Sequence, residues 1–273
     1  MMPYTALFGI IGHPLAHSMS PALHNWAFSR AGIAGFYMAW PLQPEKLPAF
    51  FDAARALPVR GGNITLPHKV TSMALLDGLS PRAQRVGAIN TFYWDDACLC
   101  GDNTDVAGFL DPLAHRRILS ALVLGAGGAS RAVLAGLKEL EVPDIGVSNR
   151  TAGKAETLAE EFGVHHVPWD DRTSSGADCI INATTQGMAG EGVDNTPLPA
   201  RAFRGKGLAY DIVYNPLETR FLREAGVAGW DTQDGLAMFV GQARESFRLW
   251  HRDKDMPARE AAALVKRLLA ADV

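Results

Sequence analysis

The sequence predicts an α/β protein in which helices flank parallel sheets. Apolar runs of strand length alternate with helical patterns along most of the 273 residues, which is typical of repeated strand–helix–strand units. Apolar residues make up 48% of the chain, which is enough to bury a core and too much for a disordered protein. Because domains usually hold about 100–200 residues, this length favours two of them.

The first part of the chain has the pattern of a βαβαβ unit. Ser20 and Pro21 predict an N-cap followed by a proline in the first helical turn, and Gly32 predicts the end of that helix. Residues 89–100 predict a hairpin that turns at Asp95-Asp96. The other elements are expected as strands at 5–11, near 35–40 and at 61–66, with a second helix within 44–57.

From Ile118 the pattern starts again as half of a nucleotide-binding fold. A strand LSALVLG, a glycine-rich turn, a helix at 129–141, a strand IGVSN and a helix after Thr151 follow one another. Further elements are expected as strands at 178–183 and 208–213, a core-facing helix within 234–250, and an amphipathic helix at 257–271 that could pack against either domain. We therefore place the domain boundaries near residues 104 and 235, so that 1–104 with 236–273 form one domain and 105–235 the other.

Charge and cysteine content exclude several classes of protein. The net charge of -3 comes without runs of lysine or arginine, which argues against a nucleic-acid partner. No stretch reaches the ~18 apolar residues of a membrane-spanning helix, and the first residues lack a basic leader, so we expect a cytoplasmic protein with no membrane partner. Cys98, Cys100 and Cys179 favour reduced thiols over disulfides or zinc, and we predict no metal site.

The segment VLGAGGASRA predicts a dinucleotide site. Gly125 and Gly127 follow a strand and open a helix, where glycines allow a tight turn and the helix N-terminus offers N–H groups to a pyrophosphate. A glycine turn without a ligand is the alternative. At the end of the next strand, where an NAD site needs an acidic residue, the chain has Asn149, Arg150 and Thr151. A guanidinium binds phosphate oxygens, and Lys154 adds a second cation, so NADP is the expected cofactor.

Several further motifs join this one into a series that covers nearly the whole chain. They are HPLAHSMSPALHN at 13–25, GGNITLPHK at 61–69, GAINT at 87–91 and GDNTD at 101–105, followed by GAGGASRA, NRT, INATTQGM, YDIVYNP and DGLAMFVGQA. In this order the series resembles the shikimate dehydrogenases. That family uses NADP to interconvert shikimate and 3-dehydroshikimate in aromatic amino-acid (chorismate) biosynthesis.

The resemblance implies a substrate-binding domain at 1–104 with 236–273, a Rossmann-type NADP-binding domain at 105–235, and C-terminal helices that return to the first domain. It implies that Lys69 and Asp105 form a catalytic pair that moves the hydroxyl proton during hydride transfer. The substrate residues that it implies are Ser18, Ser20 and Tyr214 at the carboxylate and Thr65, Asn90 and Gln242 at the ring hydroxyls. The cofactor residues that it implies are Gly125, Ala126, Gly127, Gly128, Ala129, Asn149, Arg150, Thr151, Lys154, Ile212 and Gly235.

Other interpretations of these residues stay open. Ser20 could serve only as a helix cap, Gln242 lies at the edge of an apolar stripe, and Arg244 could face solvent, cofactor or the substrate pocket. A paralogue acting on quinate or another cyclohexene polyol acid is the first alternative to shikimate. A catalytically silent NADP-binding sensor is the second, although such a sensor needs neither Lys69 nor Asp105. We expect a monomer or a homodimer that binds a small-molecule substrate between its domains.

Overall fold

Two six-stranded sheets organise the part of the chain that the computed structural model describes, residues 6–16, 18–190 and 192–271. The chain divides into one unit of Met1–Thr104 with Val240–Val273 and a second unit of Asp105–Phe239. Each unit contains one sheet. The predicted α/β class is confirmed.

The first sheet has the strand order β2-β1-β3-β5-β6-β4. Strand β1 pairs in parallel with β2 and β3, whereas β5 pairs antiparallel with β3 and β6. The elements of this part are β1 (Ala6–Gly12), α1 (Ser20–Ala31), β2 (Gly35–Pro41), α2 (Leu47–Ala56), β3 (Val59–Ile64), β4 (Gly78–Leu79), α3 (Pro81–Val86), β5 (Thr91–Asp95) and β6 (Cys98–Asp102). The predicted βαβαβ start is confirmed, except that residue 5 of its first strand lies outside the described residues.

Helix α1 ends at Gly32 as predicted, but its N-cap is not the predicted residue. Gly32 adopts the left-handed conformation with φ 65° and donates its N–H to the last turn of the helix, as a C-terminal glycine does. The predicted N-cap at Ser20 is wrong, because Ser20 is already helical and Met19 holds the cap position. The Ser20 N–H instead donates to Ser18 Oγ at 3.4 Å. The predicted hairpin is confirmed, with Asp95 paired to Cys98 and Asp96 in the left-handed region at φ 53°.

The second sheet is parallel throughout, in the order β12-β11-β10-β7-β8-β9. The helices and strands of this part of the chain are α4 (Asp105–Leu110), β7 (Ser120–Leu124), α5 (Gly128–Glu139), β8 (Asp144–Ser148), α6 (Ala152–Phe162), β9 (His165–His166), β10 (Cys179–Asn182), β11 (Leu208–Asp211), α7 (Arg220–Val227) and β12 (Asp231–Gln233). This is the doubly wound order, in which the chain leaves the central strand first to one side and then to the other. Such sheets bind ligands outside the carboxyl ends of the strands where the order reverses, here between β7 and β10.

Apolar side chains cover both faces of this second sheet. Val123 and Ile181 point to one face and pack with Leu134 and Leu158, whereas Leu122 and Ile180 belong to the cluster on the other face. The alternation follows from the two-residue period of a strand. Burial on both faces keeps the strand ends in fixed positions, and those ends carry the predicted cofactor residues.

Two helices complete the chain, α8 (Leu236–Trp250) and α9 (Ala258–Ala271). The second change of unit falls within α8, between Phe239 and Val240. Helix α9 packs against α1, and Arg30 pairs with Glu260 at 3.0 Å. The last helix therefore belongs with the first unit. None of the helices in the described ranges is long and apolar enough to cross a membrane.

Candidate active site

One edge of the first sheet gathers the polar segments of its unit. Strands β1, β3 and β6 run in one direction and β5 runs in the other, so the carboxyl ends of three strands meet the amino end of β5. Residues 13–16 with 18–20, residues 65–69 and residues 103–104 follow the three strands, and Asn90 precedes β5. The Ile64 N–H donates to Asn90 O at 2.7 Å, which ties two of these segments together. Four of the sequence motifs thus meet at one edge.

Asn90 lies at the centre of this edge and is 2% exposed. Its Oδ1 accepts from the Thr104 N–H at 2.7 Å and from Thr104 Oγ1 at 3.1 Å. Its Nδ2 donates to Thr104 Oγ1 at 2.9 Å and to Gln242 Oε1 at 3.5 Å. Two predicted substrate residues, Asn90 and Gln242, are therefore brought together, and Gln242 is half-buried rather than part of the apolar core.

Lys69 and Thr65 lie in the loop that follows β3. Both are half-buried. The Thr65 N–H donates to Ile11 O at 2.9 Å, and Lys69 O accepts from the Ile89 N–H at 2.8 Å. Strand β1 and the segment before β5 thus hold the loop backbone at both ends, and this fixes where each side chain starts.

The motif GDNTD leads from β6 into α4, and Asp102 anchors it. The Asp102 carboxylate accepts from Arg82 Nε at 3.0 Å, Arg82 Nη2 at 2.8 Å and Ser80 Oγ at 2.5 Å, and from the Asn103 N–H at 2.6 Å. Burial raises the pKa of this carboxyl, but the bonds from Arg82 and Ser80 outweigh it and hold the pKa below the ordinary value. Asp105 follows as the first residue of α4 and is 6% exposed.

Of the three residues expected at the substrate carboxylate, Ser18 and Ser20 belong to the first unit and Tyr214 to the second. Ser18 is half-buried and its Oγ accepts the Ser20 N–H, whereas Ser20 is buried as the first residue of α1. Tyr214 belongs to the second unit, where its ring stacks on Phe239 with 4.1 Å between centroids. That stacking orients the phenol ring from one side.

Sequence reasoning missed two polar residues of the first unit. Asn63 is 5% exposed, and its Oδ1 accepts from Tyr37 OH at 2.7 Å while its Nδ2 donates to Ser246 Oγ at 2.9 Å. Ser246 is fully buried and lies 3.0 Å from Thr104 Oγ1. Asn63 stands inside the motif GGNITLPHK, but Ser246 sits in an apolar helical stripe that gives no sign of it. The two amino acids are 183 positions apart.

In the second unit, the glycine-rich loop connects β7 to α5 and has space for a phosphate group. Gly125 has φ 113°, and a Cβ there would lie 2.9 Å from Ala183 O. Around Gly127 a Cβ would meet no atom within 4 Å, so this side of the loop is open. The Gly127 N–H donates to Ser130 Oγ at 3.2 Å, which holds the loop against the first turn of α5. Gly128 begins that helix, and Ala126 and Ala129 are half-buried beside it. The open loop and the helix N-terminus fit a pyrophosphate.

The end of β8 carries the residues expected at the adenosine end of the cofactor. Asn149 Nδ2 donates to Thr151 O at 3.0 Å, which shapes the turn into α6. Arg150 and Lys154 are exposed there, and no carboxylate stands between positions 149 and 154. Arg131, a third cation on α5, pairs with Glu161 at 2.5 Å. The local charge of this turn is positive, which fits a phosphate at the ribose.

A buried carboxylate, that of Asp211, connects the ends of the neighbouring strands β10 and β11. Asp211 ends β11 and accepts from Asn182 Nδ2 at 3.0 Å, the Val213 N–H at 2.9 Å and Thr219 Oγ1 at 2.6 Å. Burial raises the pKa of Asp211 to about 6 although these bonds lower it. The sequence reasoning assigned neither Asp211 nor Asn182. Their side chains fix the loops after β10 and β11, and the second of these loops contains Ile212.

Gly235 lies close to that loop for a steric reason. Its N–H donates to Val213 O at 3.1 Å. A Cβ at this position would lie 2.4 Å from Ile212 O, closer than real atoms come. Glycine therefore lets the chain before α8 touch the segment that contains Ile212.

Arg244 forms an ion pair with Asp255, which belongs to the same unit. Its guanidinium donates to both carboxylate oxygens of Asp255, at 2.9 and 2.5 Å, in the connection between α8 and α9. Arg248 joins the same carboxylate, and together these bonds hold the pKa of Asp255 far below its ordinary range. Across the described ranges, no cluster of three or more His, Cys, Asp or Glu side chains has the arrangement of a metal site.

Comparisons with known proteins cover both units. The family model of the shikimate dehydrogenase substrate binding domain matches residues 10–92, and the model of shikimate / quinate 5-dehydrogenase matches residues 112–188. The NADP(+) shikimate dehydrogenase of Oleidesulfovibrio alaskensis is 51% identical over 271 residues, with 97% of this chain and 96% of the relative covered. That of Pelobacter propionicus is 44% identical, with 97% of each chain covered.

Solved structures resemble the fold over the same length. The shikimate 5-dehydrogenase of Thermus thermophilus, in complex with NADP(H) and shikimate, is 43% identical with a TM-score of 0.86, and 96% of this chain and 99% of that one are covered. A quinate dehydrogenase of Corynebacterium glutamicum in complex with NAD is 29% identical with a TM-score of 0.87, and 96% of this chain and 99% of that one are covered.

Proposed function

This chain belongs to the shikimate dehydrogenase family, and we propose that it catalyses the reversible NADP-dependent interconversion of shikimate and 3-dehydroshikimate. The observation that carries this proposal is the 51% identity to an NADP(+) shikimate dehydrogenase across nearly the full length of both chains. The enzyme thus acts in aromatic amino-acid biosynthesis, as an oxidoreductase on a secondary alcohol. The substrate is a small polyol acid, and the first sheet edge offers amide and hydroxyl groups of the kind that bind such a molecule.

Lys69 and Asp105 are the residues that we assign to proton transfer. NADP+, held by the glycine-rich loop and the turn of Arg150, would supply the hydride acceptor for oxidation of the shikimate alcohol to a carbonyl. The hydroxyl proton must leave at the same time, so a positioned basic group lowers the barrier.

The substrate-binding residues divide by the groups that they offer. Ser18, Ser20 and Tyr214 provide hydroxyl donors for the carboxylate of shikimate. Thr65, Asn90 and Gln242 provide hydroxyl and amide groups for the ring hydroxyls. The bond between Asn90 Nδ2 and Gln242 Oε1 supports this assignment, because it turns the Gln242 amide nitrogen away from Asn90 and presents it as a donor.

The cofactor assignment rests on the second unit. We assign the pyrophosphate to the loop of Gly125, Ala126, Gly127, Gly128 and Ala129 and the 2′-phosphate to the turn of Asn149, Arg150, Thr151 and Lys154. Ile212 and Gly235 are assigned to the nicotinamide end, where Asp211 and Asn182 hold the strand ends. NADP is favoured over NAD by the same turn, because it offers two cations and no carboxylate.

The alternatives to this function have less support. Relatives at 51% and 44% identity are NADP(+) shikimate dehydrogenases, whereas the quinate dehydrogenase is 29% identical and is in complex with NAD. A silent NADP-binding sensor has no use for the substrate residues of the first sheet edge. We propose that the enzyme acts in the cytoplasm, since its three cysteines are free thiols. We also propose that it is a monomer or a homodimer.

A substitution at Lys69 tests the proposed chemistry. The Lys69→Ala variant loses the group that takes part in proton transfer, so we expect kcat for shikimate oxidation to fall about 10²- to 10⁴-fold. The KM for NADP+ should stay within about twofold of the parent value, because Lys69 does not bind the cofactor. Steady-state rates of NADPH formation measure both quantities.

The matched control is Lys46→Ala, which removes an exposed lysine from the same unit. This variant should keep the parent kcat. An unchanged kcat in Lys69→Ala would refute the assigned role, and a parent enzyme without any shikimate-dependent NADPH formation would refute the function itself.

A further inference from the structure

A line of buried hydrogen bonds connects Tyr37 on β2 to Gln242 on α8. Tyr37 OH lies 2.7 Å from Asn63 Oδ1, and Asn63 Nδ2 lies 2.9 Å from Ser246 Oγ. Ser246 Oγ is 3.0 Å from Thr104 Oγ1, which in turn is 3.1 Å from Asn90 Oδ1. The last bond runs from Asn90 Nδ2 to Gln242 Oε1 at 3.5 Å. All of these groups belong to the first unit.

The numbers of protons on these groups allow one consistent direction along this line. The phenol of Tyr37 donates to Asn63 Oδ1, so the Asn63 amide turns its nitrogen to Ser246. Ser246 Oγ accepts that bond and has one proton of its own, which it can donate to Thr104 Oγ1. Thr104 then donates to Asn90 Oδ1, and Asn90 Nδ2 donates to Gln242. Every hydroxyl donates once, as its single proton requires.

Ser246 is the point where this line enters α8. It stands four residues after Gln242, so both side chains project from the same face of the helix one turn apart. The other buried side chains of this face and its flanks are apolar, Val240, Ala243 and Phe247 among them. The hydrophobic effect is non-directional, whereas hydrogen bonds from a buried hydroxyl have preferred distances and angles, so they define the position of the helix more sharply.

The hydrogen bond between Asn90 and Gln242 depends on the position of helix α8. At 3.5 Å it is at the long limit of a hydrogen bond, so a small axial or rotational displacement of α8 breaks it. We propose that Ser246 is a positioning residue that sets α8 relative to Asn63 and Thr104 and so holds the amide of Gln242 in place for substrate. This inference rests on the proposed function, because Gln242 is assigned there to the ring hydroxyls of shikimate.

The test compares two buried serines of the same unit. Ser246→Ala removes a hydroxyl with two partners, whereas Ser72→Ala removes a fully buried hydroxyl for which no hydrogen-bond partner is found among the described residues. We expect Ser246→Ala to raise the KM for shikimate about 3- to 10-fold, the cost of a net hydrogen bond. The kcat and the KM for NADP+ should stay within about twofold of the parent values, and Ser72→Ala should match the parent throughout.

A second readout does not depend on turnover. In ¹H–¹⁵N spectra of the free protein, the side-chain NH2 signals of Asn90 and Gln242 should shift and exchange faster in Ser246→Ala and stay unchanged in Ser72→Ala. If Ser246→Ala fails to fold, Ser246→Cys keeps similar volume with a weaker donor, and it should show the same changes at smaller size.

The outcomes separate the two ideas. A parent enzyme that does not oxidise shikimate overturns the proposed function, and the amide signals then decide the role of Ser246. A parent enzyme that does oxidise it, with an unchanged KM for shikimate and unchanged amide signals in the Ser246 variants, overturns the positioning role alone. Equal changes in the KM for shikimate and for NADP+ would also overturn it, because a displaced Gln242 amide affects shikimate binding and not cofactor binding.

Discussion

Arg150 is the side chain on which cofactor choice depends most. It is exposed at the end of β8, in a turn shaped by the bond from Asn149 Nδ2 to Thr151 O. Arginine binds phosphate oxygens through two parallel donors and cannot lose its charge, so it suits a 2′-phosphate. A carboxylate at this place would repel the same group.

Replacement of Arg150 by Ala should therefore affect the two cofactors differently. We expect the KM for NADP+ to rise about 10-fold or more, the cost of a charge-assisted bond, and the KM for NAD+ to change less than about twofold. Arg204→Ala, which removes an exposed arginine of the same unit, should leave both values unchanged. Equal losses with both cofactors would contradict the assignment of the 2′-phosphate to this turn.

Helix α3 shows how one element supports a motif that it does not contain. Arg82 donates two bonds to the Asp102 carboxylate, whose side chain is 8% exposed. Without Arg82, a nearly buried charge loses two of its donors, which is costly because burial leaves it no water to bind in their place.

The Arg82→Met variant should consequently lose about 2–3 kcal/mol in its free energy of unfolding, part of the cost of breaking a fully buried pair. Urea unfolding at pH 7 measures this loss. Arg85→Met, an exposed position on the same helix, should stay within about 0.5 kcal/mol of the parent protein. If both variants unfold at the same urea concentration, Asp102 does not depend on Arg82.

Helix α1 brings a histidine into an aromatic cluster. His24 is 0% exposed and stacks on Tyr37 with 4.5 Å between ring centroids, and Trp250 lies 4.9 Å away. No hydrogen-bond partner for either ring nitrogen occurs in the part of the chain that the structure describes. Burial, together with nearby His251, lowers the pKa of His24 to about 3.

This lowered pKa makes stability depend on pH. Below the ordinary value of 6.5 the unfolded chain binds a proton at His24 and the folded chain does not until its lowered pKa of about 3 is reached, so acid favours unfolding between these two values. The melting temperature should fall over this range, and His24→Phe should make the fall smaller. His115→Gln, at an exposed position, should leave the slope as it is. A slope in His24→Phe equal to that of the parent would exclude His24 as its source.

At the scale of the whole molecule, the long strands and helices followed from the sequence because apolar runs of strand length alternate with helical segments along it. Strands β4, β9 and β12 have two or three residues each, too few to show a period. The predicted beginning of α1 was wrong because Ser20 is itself helical, and Met19 holds the cap position without a side-chain cap bond.

Some residues of the candidate site could be predicted from the sequence and others could not. Motif residues such as Lys69 and Gly127 stand in local patterns that a sequence shows directly. Ser246 stands in no such pattern, and Asp211 stands in the motif YDIVYNP without a visible role, because the roles of both come from partners that the fold brings together. A buried hydroxyl in an apolar stripe looks like ordinary core until its neighbours are known.

The measurement that most directly tests the proposed activity is a panel of kcat/KM values for shikimate and quinate, each with NADP+ and with NAD+. We predict the highest value for shikimate with NADP+. A higher kcat/KM for quinate than for shikimate with NADP+ would contradict the assignment of this enzyme to shikimate.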